Sequence, residues 1–159
     1  MEKPVVLVSS CLLGNHCRYN GKGELHPKVA ELSRRAVLIP FCPEIYGGLS
    51  TPRDPAERKE GRVMTAAGAD VTMQYEKGAK EALFTARQTG CCCAVLKERS
   101  PSCGRGMIYD GTYTRTLIPG NGVTAELFEK EKIPVYGESE WAQCMEFLDQ
   151  LQKNQSSEK

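Results

Sequence analysis

Val5-Val6-Leu7-Val8-Ser9-Ser10, followed at once by Cys11, is a short apolar run rich in β-branched residues. It reads as a buried strand that delivers a thiol at its carboxyl end. The same arrangement follows twice more. Ala36 to Phe41 (AVLIPF) is a second buried strand, ended by Cys42-Pro43, with Pro40 marking where pairing stops. Cys92 to Lys97 is a third, and the turn Ser100-Pro101-Ser102-Cys103-Gly104 lies beyond it. Ile133 to Tyr136 is a fourth strand.

Helical spacing fills the intervals. Pro27 to Arg35 places Val29 and Leu32 on one face, with Pro27 suited to a first turn. Thr72 to Thr89 carries an apolar stripe of Tyr75, Ala79, Ala82, Leu83 and Ala86, and Gly90 is placed to end it. Thr124 is suited to cap a helix running to Lys132, and Trp141 to Lys153 forms a closing helix. Residues 47–61, with their glycines, prolines and charges, read as a long functional loop. The polar residues 154–159 are expected to be a disordered tail.

Strands alternating with helices imply one α/β domain over residues 1–153. The expected architecture is an open, mostly parallel sheet with helices on both faces, a Rossmann-like three-layer sandwich. Such sheets bind ligands at the carboxyl ends of their strands. Cys11, Cys42 and Cys103 each lie at or just beyond such an end. Three cysteines far apart in sequence are therefore expected on one rim.

Composition narrows the function. A chain of 159 residues buries a core without needing disulfides, yet it carries eight cysteines. Met1-Glu2-Lys3-Pro4 runs directly into Val5 to Val8, too short for a signal core or a membrane span. The expected compartment is the reducing cytoplasm, where cysteines serve as metal ligands, catalytic thiols or packing. Lys plus Arg (21) against Asp plus Glu (20) gives a formal charge of +1, which makes no broad electrostatic case for nucleic acid or an anionic membrane.

Converging thiols suit a soft metal or an iron–sulfur cluster. The competing reading makes each a small buried hydrophobe. Cys91, Cys92 and Cys93 open the strand whose far end leads to Cys103, so they fall on the order of 20 Å from that rim. They and Cys144 read as packing. Cys17, in the loop after Cys11, is close enough for a resolving thiol or a fourth ligand. Glu44, two residues after Cys42, suits a general base, or alternatively a partner for Arg53. Ser100 and Ser102 are suited to donate hydrogen bonds to a substrate or cluster sulfur, or simply to stabilise their turn. Gly120-Asn121-Gly122 before a helix is a weak phosphate signal.

Taken in order, several motifs form a series: Ser10-Cys11-Leu12-Leu13-Gly14, Cys17-Arg18-Tyr19-Asn20-Gly21, Cys42-Pro43-Glu44, and Gly47-Gly48-Leu49-Ser50-Thr51-Pro52-Arg53. Leu96-Lys97, Ser100-Pro101-Ser102-Cys103-Gly104, Ile108-Tyr109-Asp110-Gly111 and Gly120-Asn121-Gly122-Val123-Thr124-Ala125 continue it. This series resembles the thiouracil desulfidase family, from Val5 to about Trp141. Ser50 departs from it, standing where the family pattern has proline. The resemblance implies a labile [4Fe–4S] cluster held by Cys11, Cys42 and Cys103, and non-redox removal of sulfur from a thiolated uracil or a related nucleobase or nucleotide. It further implies that Glu44 and Ser100 act in catalysis, with sulfide released. Ser102, Cys17 and Arg53 are expected to stand near substrate or behind the ligands. Two other readings remain open at this point: a metal or sulfur-handling module without catalysis, and a thiol redox protein with Cys17 as resolving partner.

Overall fold

The computed structural model describes residues 3–157. Met1 and Glu2, part of the stretch read for an export signal, lie outside the described residues, as do Glu158 and Lys159 at the end of the expected tail. The elements are β1 (Val5–Ser9), a 3-10 turn (Ser10–Leu12), α1 (Val29–Arg35), β2 (Val37–Phe41) and α2 (Pro43–Tyr46). Then come β3 (Ala56–Lys59), β4 (Arg62–Thr65), α3 (Thr72–Thr89), β5 (Cys91–Leu96), β6 (Met107–Tyr109) and β7 (Leu117–Pro119). The chain closes with α4 (Val123–Lys130), β8 (Val135–Gly137) and α5 (Trp141–Ser157).

Four strands form a fully parallel sheet in the order β2-β1-β5-β8. Alternation along the strands divides the core in two. Val6, Val8, Cys93 and Val95 meet α1 and α5 through Val29, Leu32, Trp141, Cys144 and Leu148. Leu7, Phe41, Ala94 and Leu96 meet α3 and α4 through Ala82, Leu83, Ala86, Ala125 and Phe128. The three-layer α/β sandwich is thus the observed fold. β1 leads outward to β2 on one side, and β5 leads to β8 on the other. The strand order reverses between β1 and β5, which opens a crevice at their carboxyl ends.

Three segments differ from the sequence expectations. Residues 47–61 are not one long loop: β3 and β4 form an antiparallel hairpin, and Glu60 and Gly61 at its tip both take positive φ, as a two-residue hairpin turn demands. A second hairpin, β6 with β7, lies between the Ser100–Gly104 turn and α4, where the sequence reading placed no strand. Residues 154–157 continue α5 as helix rather than forming a tail. Among the described residues no helix is long and apolar enough to cross a membrane.

Candidate active site

Cys11 leaves β1 on the 3-10 turn, and Cys42 leaves β2 as the residue before α2. Cys103 sits in the turn after β5. Here the Ser100 hydroxyl accepts the backbone N–H groups of Ser102 (3.0 Å) and Cys103 (3.1 Å). All three cysteines, with Cys17, border one cavity of about 500 Å3 at the carboxyl rim of the sheet. The convergence expected from sequence is present.

The turn that presents Cys103 is fixed from behind by α4. Val123 N–H donates to the Pro101 carbonyl and Thr124 N–H to that of Ser102, both at 2.8 Å. Thr124 is therefore not the helix cap: it lies inside α4, fully buried, with its hydroxyl 3.0 Å from that of Ser102. Nor is Gly120-Asn121-Gly122 a phosphate cradle. Gly120 and Gly122 donate to the carbonyls of Gly106 and Gly104, and the Asn121 side chain accepts from Gly106.

Glu44, in the first turn of α2, lines the cavity with its carboxylate held by two donors. Arg53 Nη2 approaches Oε2 at 2.6 Å, and the Tyr75 hydroxyl from α3 donates to Oε1. Burial, then the charge of Glu44, pushes the Tyr75 phenol up, so it stays a donor. Arg53 also donates to the carbonyls of Cys17 and Ser50 and to the Thr51 hydroxyl, each at 3.0 Å. One guanidinium thus ties the Cys17 loop to α2. Arg53 and Ser102 both stand behind the cavity wall rather than lining it. Ser102 accepts the Cys103 thiol at 3.9 Å.

The thiols share their environment. Contact with the Cys11 thiol is the main reason Cys17 is pushed up to about 11, with burial adding and Cys42 opposing. Cys42 is raised by its contact with Cys17 and then by burial. Burial pushes Cys103 up to about 12, and hydrogen bonding with Ser9 and Ser102 opposes it. At neutral pH Cys17, Cys42 and Cys103 carry their protons, so metal binding must release protons from the two that are expected ligands. Among the described residues no three His, Cys, Asp or Glu groups close on one point as the ligands of a single ion do.

Cys91, Cys92, Cys93 and Cys144 stay away from this rim, as expected. Cys91 pairs with Val5 at the opposite end of the sheet, and Cys93 and Cys144 are fully buried in the α1–α5 core. Sequence reasoning missed Ser9, Tyr75 and Glu57. It also assigned no role to Arg18, Arg99 and Arg115, which line the cavity. Among the described residues none of these three guanidinium groups has a carboxylate or hydrogen-bond partner. Arg99 and Arg115 hold positive φ (68° and 60°), as does Tyr113 between the two cavity-wall segments (60°). Left-handed conformations at large residues gather at functional sites.

A family model described as 2-thiouracil desulfurase matches residues 6–140. The Bacillus subtilis (strain 168) protein bearing the name uncharacterized protein YbbK is 42% identical over 146 residues, covering 86% of this chain and 97% of the relative. The solved structure of a [4Fe-4S]-dependent thiouracil desulfidase, TudS, matches with a TM-score of 0.83 at 38% identity, covering 92% of this chain and 99% of that one.

Proposed function

Because the chain belongs to the 2-thiouracil desulfurase family, we propose that its cavity takes a thiolated uracil and exchanges the thiocarbonyl sulfur for the oxygen of water, releasing sulfide. The observation that carries this is one cavity bordered by Cys11, Cys42, Cys103 and a doubly held Glu44. The exchange balances as thiocarbonyl plus water giving carbonyl plus hydrogen sulfide. No electrons are transferred, and no reductant is needed.

The three thiols are the donor set of an iron–sulfur cluster, and they border one cavity. Cys11, Cys42 and Cys103 would hold the [4Fe–4S] cluster that the solved relative depends on. When bound, such a cluster supplies an iron without a protein ligand, a Lewis acid for the thiocarbonyl sulfur.

The remaining roles belong to the chain's own residues. Glu44 takes the proton of the attacking water, while Arg53 and Tyr75 keep its carboxylate aimed. The Ser100 oxygen already accepts two backbone N–H groups, so its own proton is the part left to donate toward the cavity. Arg18, Arg99 and Arg115 favour an anionic substrate, a thiolated uridine nucleotide ahead of the free base.

The test is turnover by anaerobically reconstituted protein, with 2-thiouracil and its nucleotide compared. Equal amounts of sulfide and uracil product without added reductant, at lower KM for the nucleotide, is the expected result. A requirement for reductant, or no sulfide from either compound, overturns the proposal.

A further inference from the structure

Glu57 has no part in the roles above. It is the second residue of β3, and only 8% of it is exposed although it lines the cavity. Its Oε1 accepts two backbone N–H groups from the β6–β7 connection, Gly111 at 3.0 Å and Tyr113 at 3.1 Å. Among the described residues its Oε2 accepts none. Nor is Oε2 a sealed orphan: the buried side-chain polar atoms without a partner among these residues are Arg53 Nε and Arg105 Nε. The free oxygen is therefore accessible, on a side chain that lines the cavity.

A buried carboxylate is costly unless its lone pairs meet donors. The adjacent cation does not serve, since Arg58 pairs with Glu126 and the Asn121 carbonyl. A ligand N–H would complete the set. On a uracil attached to ribose through N1, the one remaining ring N–H is N3–H, beside both carbonyl or thiocarbonyl positions.

We propose that Glu57 Oε2 accepts the ring N3–H of the thiolated uracil, which makes Glu57 the residue that reads the base. This rests on the desulfidase reading of the cavity. A thiolated cytosine presents a lone pair at N3 instead, and two acceptors then face each other. A site built around a buried polar group rejects the ligand that leaves it unpaired. Glu57 thus separates uracil from cytosine, while Glu44 handles the proton.

Glu57→Gln is a close probe. Its amide oxygen still accepts from Gly111 and Tyr113, while its amide nitrogen turns a donor toward the cavity. In the reconstituted wild type, N3-methylation of 2-thiouridine monophosphate should raise KM by about tenfold to a hundredfold, and 2-thiocytidine monophosphate should be rejected. In Glu57→Gln the N3-methyl penalty should vanish, 2-thiouridine monophosphate should lose a similar factor in KM more than in kcat, and 2-thiocytidine monophosphate should gain. Calorimetric binding of the monophosphates of uridine, N3-methyluridine and cytidine to the metal-free protein reads the same preference without turnover. Wild type that accepts the N3-methylated nucleotides equally, or an unchanged penalty in Glu57→Gln, overturns the assignment. Sulfide release failing while uridine monophosphate still outbinds its N3-methylated form and cytidine monophosphate would contradict the reaction and leave Glu57 as the base reader.

Discussion

At the scale of residues, Glu44 is held in a way that suits work on a proton: one oxygen by the Tyr75 phenol, the other by the Arg53 guanidinium. Glu44→Gln keeps the size and removes the charge. Iron content should stay at the wild-type level while sulfide release slows by about 10²–10⁴-fold, the usual contribution of a positioned acid or base. Unchanged turnover would remove Glu44 from the chemistry, and lost iron would make it structural. The convergence of Cys11, Cys42, Cys103 and Glu44 on one cavity was legible because each lies at or beyond the carboxyl end of an apolar strand, so position along the chain fixed position on the rim. Tyr75 was not, because its spacing within α3 is that of a core residue, and its body is indeed buried. Glu57 was hidden in the charged run Ala56-Glu57-Arg58-Lys59-Glu60, where nothing local separates a buried carboxylate from solvated neighbours.

Among the elements, the contact that sets the site is α2 against α3. Both helices use glycine there. A Cβ on Gly78 would stand 1.9 Å from the Pro43 carbonyl oxygen, and one on Gly47 would stand 2.0 Å from that of Gln74. Gly78→Ala must therefore push α2 away, and with it Cys42 and Glu44. Destabilisation of about 1–3 kcal/mol is expected from such overpacking, with reduced iron incorporation on reconstitution. Lys80→Ala, on the exposed face of α3, should stay within about 0.5 kcal/mol of wild type. Thermal melts and iron assays on both variants check this, and a wild-type melt for Gly78→Ala would contradict it. The sheet strands and the helices of the main sandwich were readable because each has an apolar face to bury. The β3–β4 ribbon was not, since Arg58 and Thr65 share the face of Val63, where alternation would ask for apolar residues, and Glu60-Gly61 is a weak turn signal.

Over the whole molecule, the sheet is held by two cores on its opposite faces, while the cavity lies at the rim beyond the strand ends. Val6, Leu7, Val8, Val95 and Leu96 are fully buried in the two cores of the chain's own side chains. Removing one rim thiol should consequently leave a folded chain, unlike a zinc finger whose fold depends on its metal. Loss of iron in such a variant can then be assigned to the site rather than to collapse of the domain. The decisive measurement is iron per chain and sulfide release from 2-thiouracil, on anaerobically reconstituted wild type and the single Cys11→Ala, Cys42→Ala, Cys103→Ala and Cys144→Ala variants, each shown to be folded by circular dichroism. About four irons per chain and turnover are expected in wild type and Cys144→Ala, as a cubane cluster requires, with both lost in the three rim variants. Full iron and turnover in a folded Cys103→Ala protein would contradict this.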